Sequence, residues 1–355
     1  MRLQTLVTST TDPAERGRQI AEAHGGQIRR NAADYLQHFA AKGIDAATVR
    51  GTAESSHEAL RAWHADLAVE IDAMADALGL ERWHLAALNA RTEVLAAAPP
   101  SREGECSTAV VLRPGTEPVT FQTWDWHPHL AEEGLLHQLA TDERRVKIFT
   151  ELGMSGKIGV NSDGLGVHFN ILSHQQDHPA GGVSVHSIAR SVLERAATLE
   201  EAVELTADVP VSASTVLTVV EGGETPRAAS IEFSPVGRRV VGRTEDGWVL
   251  HTNHFLAEDL HRGDTMPADS TTAERLAHLG AATAETEPRT TAELARALAC
   301  PAGAASVLSM HPKEGEPAIE QWQTLLTIGL DVDGFALVYS TEDVETAAAT
   351  GFARF

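Results

Sequence analysis

The chain has 355 residues, of which 43% are hydrophobic, and a formal net charge of −22. A chain of this length and hydrophobic content can bury a sizeable core, and it fits one large compact α/β or α+β enzyme domain. The negative charge disfavours nucleic-acid partners and anionic membrane surfaces, because both present phosphate groups that would be repelled.

Cysteine usage and the first residues indicate a cytoplasmic protein. The chain has only two cysteines, Cys106 and Cys300, so no disulfide framework is expected, and Cys300 is predicted to be a buried structural residue. Residues 1–11 lack the long apolar stretch and cleavage site of a secretory signal. No run approaches the roughly 18 apolar residues of a membrane span. No cofactor is predicted.

The front third of the chain has a helical pattern. Asp12, Pro13 and Glu15 supply a cap residue, a proline at the first helical position and a glutamate at the third, which together indicate a helix start. Apolar residues then recur at helical spacing over residues 14–41, 55–78 and 82–97. The pair Pro99 and Pro100 ends this region.

From residue 106 onward the pattern changes to short strands separated by turn residues. The predicted strands are 107–112, 119–125, 158–160, 166–171, 214–220, 229–233, 238–243, 248–251, 324–330 and 335–339. Turns at 221–223 and 245–247 would join some of them into a meander. Helices are predicted at 185–205 and 291–298, and the Ala/Glu/Thr-rich stretch 270–295 is expected to be a solvated helix or loop.

Short turns between consecutive strands favour antiparallel pairing, so the sequence predicts an α+β fold in which helices cover antiparallel sheets. A helical segment of residues 1–105 would precede a core of residues 106–355, and together they would form one compact domain. The two patterns meet at a cysteine, Cys106.

Cys106 has a predicted carboxylate neighbour. If the hairpin turns between Gly115 and Thr116, Cys106 and Asp125 face each other across two strands, with Cα atoms within about 5 Å. Asp is depleted in strand interiors, so an aspartate at position 125, at the end of an apolar strand, indicates a specific role. The simpler alternatives are a buried structural cysteine and an aspartate that caps the following loop.

Asn253 is the third candidate residue. It follows the predicted strand 248–251, and a side-chain amide at a strand end can donate to a developing oxyanion. The alternative is a loop asparagine that bonds its own backbone. An N-terminal cysteine would need no histidine, because its own α-amine, with a reference pKa near ~8, can accept the thiol proton while a carboxylate orients the amine.

Several short motifs occur in a fixed order around these residues: Leu88–Glu93, Cys106–Ala109, Gln122–Asp125, Thr150–Gly153, Gly156–Ser162, Glu232–Pro235 and His251–His254. In these motifs, from near residue 10 to about residue 340, the chain resembles the acyl-coenzyme A:6-aminopenicillanic acid acyltransferase (isopenicillin-N acyltransferase) family of cysteine N-terminal-nucleophile (Ntn) hydrolases.

The resemblance implies a precursor that cleaves itself between Glu105 and Cys106. Cys106 would be the nucleophile in processing and in catalysis, Asp125 would position the new α-amine, and Asn253 would contribute to the oxyanion hole. It also implies a four-layer αββα sandwich of two antiparallel sheets between helical layers. Arg91, Thr92, Glu93 and Thr108 would support the site or its processing. The expected substrate pocket comprises Trp124, Trp126, His127 and Met310.

Two positions depart from the family pattern. Family members usually have Gly before the nucleophile, where this chain has Glu105, and Gly permits strained backbone at a scissile bond. Self-cleavage is therefore expected to be slower or to occur at another site. Met310 replaces an Arg found before a His-Pro pair, which removes a bidentate carboxylate partner. A more apolar acyl or amine group is therefore expected.

The sequence thus predicts an amidohydrolase that cleaves an N-acyl amine, N-acyl amino acid or related small amide, with its processed chains still associated and homo-oligomerisation left open. Acyl transfer from a thioester donor is the first alternative. A metal-dependent amidase is the second, with ligands among His127, His129, His251 and His254, although no zinc motif is present and no metal is predicted. An unprocessed, non-catalytic relative is the third.

Overall fold

The computed structural model describes residues 1–98, 105–267, 269–284 and 286–355. The predicted break at Pro99 and Pro100 lies outside these ranges. The N-terminal part begins with a short strand, which the sequence did not indicate, and continues with five helices: β1 (Arg2–Val7), α1 (Pro13–Ala41), α2 (Ala46–Trp63), α3 (Ala65–Leu78), α4 (Arg82–Asn89) and α5 (Arg91–Leu95).

The predicted start of the first helix is confirmed. The side chain of Asp12 accepts hydrogen bonds from the backbone N–H groups of Ala14 and Glu15, which satisfies two donors that the helix cannot satisfy itself. The two later helical stretches are each divided. His64, with φ −145° and ψ 81°, separates α2 from α3, and Ala90 separates α4 from α5.

The remaining part contains thirteen further strands, six further α-helices and one short 3-10 helix, Ala318–Glu320, among the described residues. The strands are β2 (Ser107–Val111), β3 (Val119–Trp126), β4 (Glu133–Ala140), β5 (Arg145–Glu151), β6 (Ile158–Asn161), β7 (Leu165–Ile171), β8 (Thr215–Glu221), β9 (Arg227–Ser234), β10 (Gly237–Val241), β11 (Trp248–His251), β12 (Gln323–Asp331), β13 (Ala336–Ser340) and β14 (Ala353–Arg354). The helices are α6 (Val185–Arg195), α7 (Leu199–Leu205), α8 (Glu258–His261), α9 (Thr272–Thr283), α10 (Thr291–Leu298) and α11 (Val344–Thr350).

These strands form two sheets. The first has the order β1-β4-β5-β6-β7-β8-β9-β10 and the second β11-β2-β3-β12-β13-β14. Every pair is antiparallel except β1 with β4, which run parallel. The sheets face each other through β2 and β7, β5 and β13, and β6 and β12, while α6 and α7 cover the first sheet and α9 and α10 cover the second. The predicted α+β sandwich of four layers, αββα, is confirmed.

Alternation along β2 and β3 decides which layer each side chain enters. Ala109, Val111 and Phe121 pack against Leu279 and Leu294 of the helices that cover the second sheet. The even-numbered hydrophobic residues of these two strands belong instead to the large core between the sheets. This division arises because successive side chains of a strand point to opposite faces of the sheet. Residues just before β2 therefore reach either the space between the sheets or the space under α9.

Four sequence expectations differ from the structure. β4 and β5 were not predicted. β4 consists of Glu, Gly, Leu, His, Gln and Ala and has no β-branched residue, so pairing with its neighbours determines the strand. The turn at 245–247 does not continue a meander, because β10 and β11 lie in different sheets. The helix expected over 185–205 is divided at residues 196–198. Cys300 is partly exposed rather than buried.

None of the helices in the described part of the chain is both long enough and apolar enough to cross a membrane.

The fold predicts opposite effects for two glycine substitutions. A Cβ at Gly159 on β6 would lie 2.5 Å from the carbonyl oxygen of Lys147 and 2.8 Å from Cδ1 of Leu193. We therefore expect Gly159→Ala to destabilise the protein by about 1–3 kcal/mol through overpacking. Gly51 is an exposed helical position with nothing near its Cβ, and Gly51→Ala should stabilise by about 0.5–1 kcal/mol. Urea unfolding would measure both, and equal effects would contradict the packing argument.

Candidate active site

Cys106 lies immediately before β2 and is 3% exposed. The observed register pairs Ser107 with Thr123 and Thr108 with Gln122. Extended by one residue, it places Cys106 opposite Trp124, not opposite Asp125, so the predicted pairing is wrong by one residue. The hairpin is centred on Gly115 rather than between Gly115 and the following residue, and such a shift moves side chains to the other face of the sheet.

Asp125 nevertheless acts on Cys106, since its carboxylate and a backbone hydrogen bond both affect the pKa of the thiol. Burial and, to a smaller extent, the Asp125 carboxylate together raise the pKa of Cys106 to about 12, so the thiol is protonated at neutral pH. The backbone hydrogen bond acts in the opposite direction but does not cancel these effects.

The Asp125 carboxylate is held on both oxygens. Thr324 Oγ1 donates to Oδ1 at 2.6 Å, and Thr123 Oγ1 lies 3.4 Å from Oδ2. Burial raises the pKa of Asp125 to about 7, and the nearby Glu105 carboxylate also raises it. A buried carboxyl group that titrates near neutrality is suited to exchange a proton or to pair with a newly formed cation.

Arg275 of α9 joins the parts of this centre. Its side chain is fully buried and pairs with the equally buried Glu105, with 2.7 Å between Nη2 and Oε2. The same guanidinium donates to the Cys106 carbonyl oxygen at 2.6 Å, to Ser107 Oγ at 2.9 Å and to Asn253 Oδ1 at 3.0 Å. One side chain therefore contacts the residues on both sides of the predicted scissile bond and the predicted oxyanion residue.

Arg275 was missed in the sequence because it lies in the stretch 270–295, which was expected to be solvated. The structure contradicts that expectation, because one face of α9 is buried: Thr272, Arg275, Leu279 and Thr283. Their spacing of three or four residues was the available signal, but threonines and an arginine on a buried helix face do not register as an apolar stripe.

Asn253 lies in the loop that follows β11. Its amide nitrogen donates to the Ile171 carbonyl oxygen at 2.8 Å, and its backbone N–H donates to Thr272 Oγ1 at 2.8 Å. Glu232 of β9 holds the same loop, since it lies 2.8 Å from His251 Nε2 and accepts from two backbone N–H groups at residues 256 and 257. Two sequence motifs that are far apart in the chain thus build one loop.

Arg91 belongs to a second buried charge network. It pairs with Glu151 at 2.6 Å, hydrogen-bonds Tyr35 and lies over the Trp126 ring, with 3.7 Å between the guanidinium carbon and the ring centroid. Lys157 Nζ lies 3.0 Å from the same Glu151 carboxylate. Burial would raise the pKa of Glu151, but Arg91 and Lys157 hold it below its ordinary value. Burial lowers the pKa of Lys157 to about 7.

The other predicted supporting residues occupy different places. Glu93 is fully buried, and its Oε1 accepts from the Val185 N–H at 2.8 Å. Thr92 is half-buried on α5. Thr108 Oγ1 donates to Asn170 Oδ1 at 2.8 Å, which joins the two sheets. The sequence predicted supporting roles for these residues, and these contacts are consistent with such roles.

The predicted pocket residues are mostly interior. Trp124 and Trp126 are each 2% exposed. His127 Nδ1 lies 2.9 Å from the Gln321 carbonyl oxygen, and its ring lies 4.3 Å from Trp322 between centroids. Met310 is half-buried, and its backbone N–H donates to Thr324, the residue that donates to Asp125. Their contact with substrate stays a prediction.

Three of the four histidines weighed as metal ligands have other partners: His127 lies against the Gln321 carbonyl oxygen, His251 against Glu232 and His254 against Thr272. Within residues 1–98, 105–267, 269–284 and 286–355, no group of three or more His, Cys, Asp or Glu side chains is arranged to hold a metal ion.

Glu93 gives a pH-dependent prediction. Burial raises its pKa to about 8, so the fold keeps the carboxyl protonated well above the unfolded value of about 4.3. Wild-type stability should therefore fall between pH 4.3 and 8, by at most about 1.4 kcal/mol per pH unit from this group. Glu93→Gln removes the titration, so its stability relative to wild type should increase from pH 5 to pH 8.

Urea unfolding at both pH values, on a Cys106→Ala background that keeps a single chain, would measure this difference. Exposed Glu117 provides the control, since Glu117→Gln should show no such trend. A stability difference for Glu93→Gln that does not change with pH would contradict the burial argument.

Comparison with known proteins identifies one matching family and several similar proteins. The family described as acyl-coenzyme A:6-aminopenicillanic acid acyl-transferase matches residues 111–299, a stretch that contains Asp125, Asn253 and Arg275. The acyl-coenzyme A:6-aminopenicillanic-acid-acyltransferase 40 kDa form of Emericella nidulans is 31% identical over 172 residues, which are 48% of this chain and 46% of that protein. The match thus spans about half the length of that relative.

Two solved structures are also similar. Penicillin V acylase from Agrobacterium tumefaciens has 16% identity and a TM-score of 0.36 over 66% of this chain and 83% of its own. A variant of conjugated bile acid hydrolase from Clostridium perfringens has 12% identity and a TM-score of 0.44 over 66% of this chain and 89% of its own. The family match covers more than half of the 355 residues of this chain. The chain therefore belongs to the acyl-coenzyme A:6-aminopenicillanic acid acyltransferase family.

Proposed function

We propose that the protein is a self-processing cysteine amidohydrolase of the Ntn type, which cleaves small amides through an acyl-enzyme on Cys106. The placement of Asp125 and Arg275 beside Cys106, with Asn253 held by Arg275, supports this proposal most directly. An acyl transfer needs a nucleophile, a base with its orienting group and an oxyanion donor, and these residue types can supply all three.

The first proposed step is intramolecular. The Cys106 sulfur attacks the carbonyl carbon of Glu105, so that a C–S bond forms, the C–N bond breaks and the thiol proton ends on the new α-amine. Water then hydrolyses the thioester: a C–O bond forms at Glu105, the C–S bond breaks and the thiol regains a proton. The net reaction consumes one water and separates the chain between Glu105 and Cys106.

The released α-amine is then the proposed base for catalysis. Asp125, held by Thr324 and Thr123, would orient the amine and balance its charge when it takes the thiol proton. The buried Arg275 guanidinium, 2.6 Å from the Cys106 carbonyl oxygen, would lower the pKa of the amine by charge repulsion and favour its neutral form. The α-amine would thus become available as the base for substrate turnover only after cleavage.

Asn253 is the proposed oxyanion donor. An amide nitrogen carries two hydrogens, and one of them serves the Ile171 carbonyl oxygen. The second can donate to the tetrahedral intermediate, while Arg275 fixes the amide orientation through Oδ1. Fixed donors of this kind stabilise developing charge by about 3–4 kcal/mol when measured by removal.

Hydrolysis is favoured over acyl transfer, because a net charge of −22 disfavours the phosphate groups of a coenzyme A donor. The acyltransferase name of the Emericella relative keeps transfer as the second candidate. We further propose that the two fragments stay associated, because Arg91 and Glu151 form a buried ion pair across the proposed cleavage point and β1 pairs with β4. The proposed location is the cytoplasm, since two cysteines and no disulfide framework suit a reducing compartment.

Intact-mass analysis tests processing directly. Wild type should give two fragments of about 105 and 250 residues, the larger beginning with Cys106. Cys106→Ala should stay a single chain and lose activity on a panel of acyl amides, because the nucleophile is gone. Cys300→Ala is the matched control, since the other cysteine is partly exposed and should leave both cleavage and activity intact.

The alternatives give different results in the same assays. Activity that survives Cys106→Ala but not a chelator would identify a metal-dependent amidase. Release of the acyl group to an added amine or thiol in preference to water would identify a transferase. A persistently single wild-type chain with no activity on any acyl amide would contradict the proposal and indicate a non-catalytic relative.

A further inference from the structure

Glu105 occupies a built anion site. Its carboxylate lies 2.7 Å from Arg275 Nη2 and accepts from Thr271 Oγ1 at 2.9 Å, and both partners of the ion pair are fully buried. Thr271 also accepts from Arg275 Nε at 3.1 Å, so the hydroxyl is oriented to donate its own hydrogen outward. The site lies at the N-terminal end of α9, where the helix dipole favours an anion.

Glu105 is also the first acyl group that the proposed nucleophile would carry. During self-cleavage its carbonyl carbon forms the thioester with Cys106, in the position that a substrate carbonyl takes later. Its side-chain carboxylate then fills whatever subsite receives the far end of the acyl group. In the uncleaved chain, Thr271 and Arg275 form that subsite.

Departure of Glu105 would leave Arg275 without this carboxylate. Its remaining hydrogen-bond partners are the neutral oxygens of Cys106, Ser107, Asn253 and Thr271. The Asp125 carboxylate interacts with it electrostatically but is hydrogen-bonded by Thr324. A fully buried guanidinium that loses its carboxylate is strongly unfavourable, so the cleaved site has a strong electrostatic preference for a new anion. A substrate that supplies one would recover the lost interaction.

We propose that the mature enzyme binds a carboxylate at the far end of the substrate's acyl group through Thr271 and Arg275, and that it prefers short dicarboxylic acyl groups. The inference rests on the proposed function and names its substrate class. In Glu105 the attacked carbonyl carbon and the carboxylate carbon are separated by three carbons. A glutaryl group has the same spacing, and it is therefore the acyl group that best matches the subsite.

This substrate class replaces the apolar acyl group expected from Met310. With Met310 in place of an arginine, the sequence offered no cation at that position to bind a substrate carboxylate. Arg275, on α9, can supply such a cation instead. The net charge of −22 does not oppose the anion inside the site. Surface charges are screened over about 8 Å at physiological ionic strength, whereas a buried pair is screened far less.

The test compares two chromogenic amides with the processed protein: N-glutaryl-p-nitroanilide and its analogue with a terminal primary amide in place of the carboxylate. The two have the same shape and differ in charge. We expect kcat/KM to be about tenfold or more higher for the acid, because charge-assisted hydrogen bonds to Arg275 and Thr271 are lost with the analogue.

Substitutions in and next to α9 test whether Thr271 and Arg275 cause the preference for the acid over the amide analogue. Thr271→Val should lower the acid-to-amide ratio of kcat/KM severalfold, and Arg275→Met should reduce it to about one, since charge recognition depends on these groups. Thr283→Val is the matched control: Thr283 is a buried threonine of the same helix whose hydroxyl donates to Leu279 within the helix, so the ratio should not change. An unchanged ratio in Thr271→Val and Arg275→Met would overturn the proposal.

If Arg275→Met does not fold or does not cleave itself, thermal stabilisation by glutarate provides a second test. Glutarate should raise the Tm of the processed wild type but not that of Cys106→Ala, in which Glu105 still fills the subsite. Equal cleavage of the two anilides, or equal stabilisation of both proteins by glutarate, would overturn this inference and leave the amidohydrolase intact. Failure to cleave either anilide or any other amide would overturn both.

Discussion

The buried guanidinium of Arg275 is the constraint on which the candidate site depends. It is the common partner of Glu105, the Cys106 carbonyl and Asn253, groups from two segments far apart in the chain. A planar donor with five N–H groups can hold such a set in fixed geometry, whereas an ammonium group cannot. Because the guanidinium is buried, its positive charge must always have a hydrogen-bond acceptor nearby, and removal of a charged partner would be destabilising. The site is therefore organised from α9 as much as from the strand that carries Cys106.

A second buried network of charged residues holds the N-terminal helices against the first sheet. Arg91, from the N-terminal helical segment, and Lys157, from the core, share the Glu151 carboxylate. Such pairs contribute little net stability, since desolvation offsets much of their attraction, but removal of one member leaves an unpaired charge. They therefore specify which surfaces of the N-terminal helices and the first sheet meet. Trp126 completes the contact by stacking on Arg91.

Much of this arrangement could be predicted from local pattern, and the parts that could not have physical reasons. The Asp12 cap gave the first helix, and alternating residues gave β2 and β3. The Cys106–Asp125 register was wrong by one residue, because a loop around Gly115 can be centred in two ways and the sequence does not choose between them. β4 was missed because its Leu, Gln and Ala do not favour a strand. Arg275 was missed because long-range burial, not spacing, gives it its role.

The parallel pairing of β1 with β4 has a consequence for refolding. Residues 2–7 belong to the first sheet although they lie before the proposed cleavage point. In the intact chain, closing the intervening segment carries an entropic cost that grows only slowly with length. After cleavage the same strand must be recaptured from solution, so reassembly becomes bimolecular and dependent on concentration. The mature protein would then persist through the slowness of its unfolding, and once denatured in dilution it would not return.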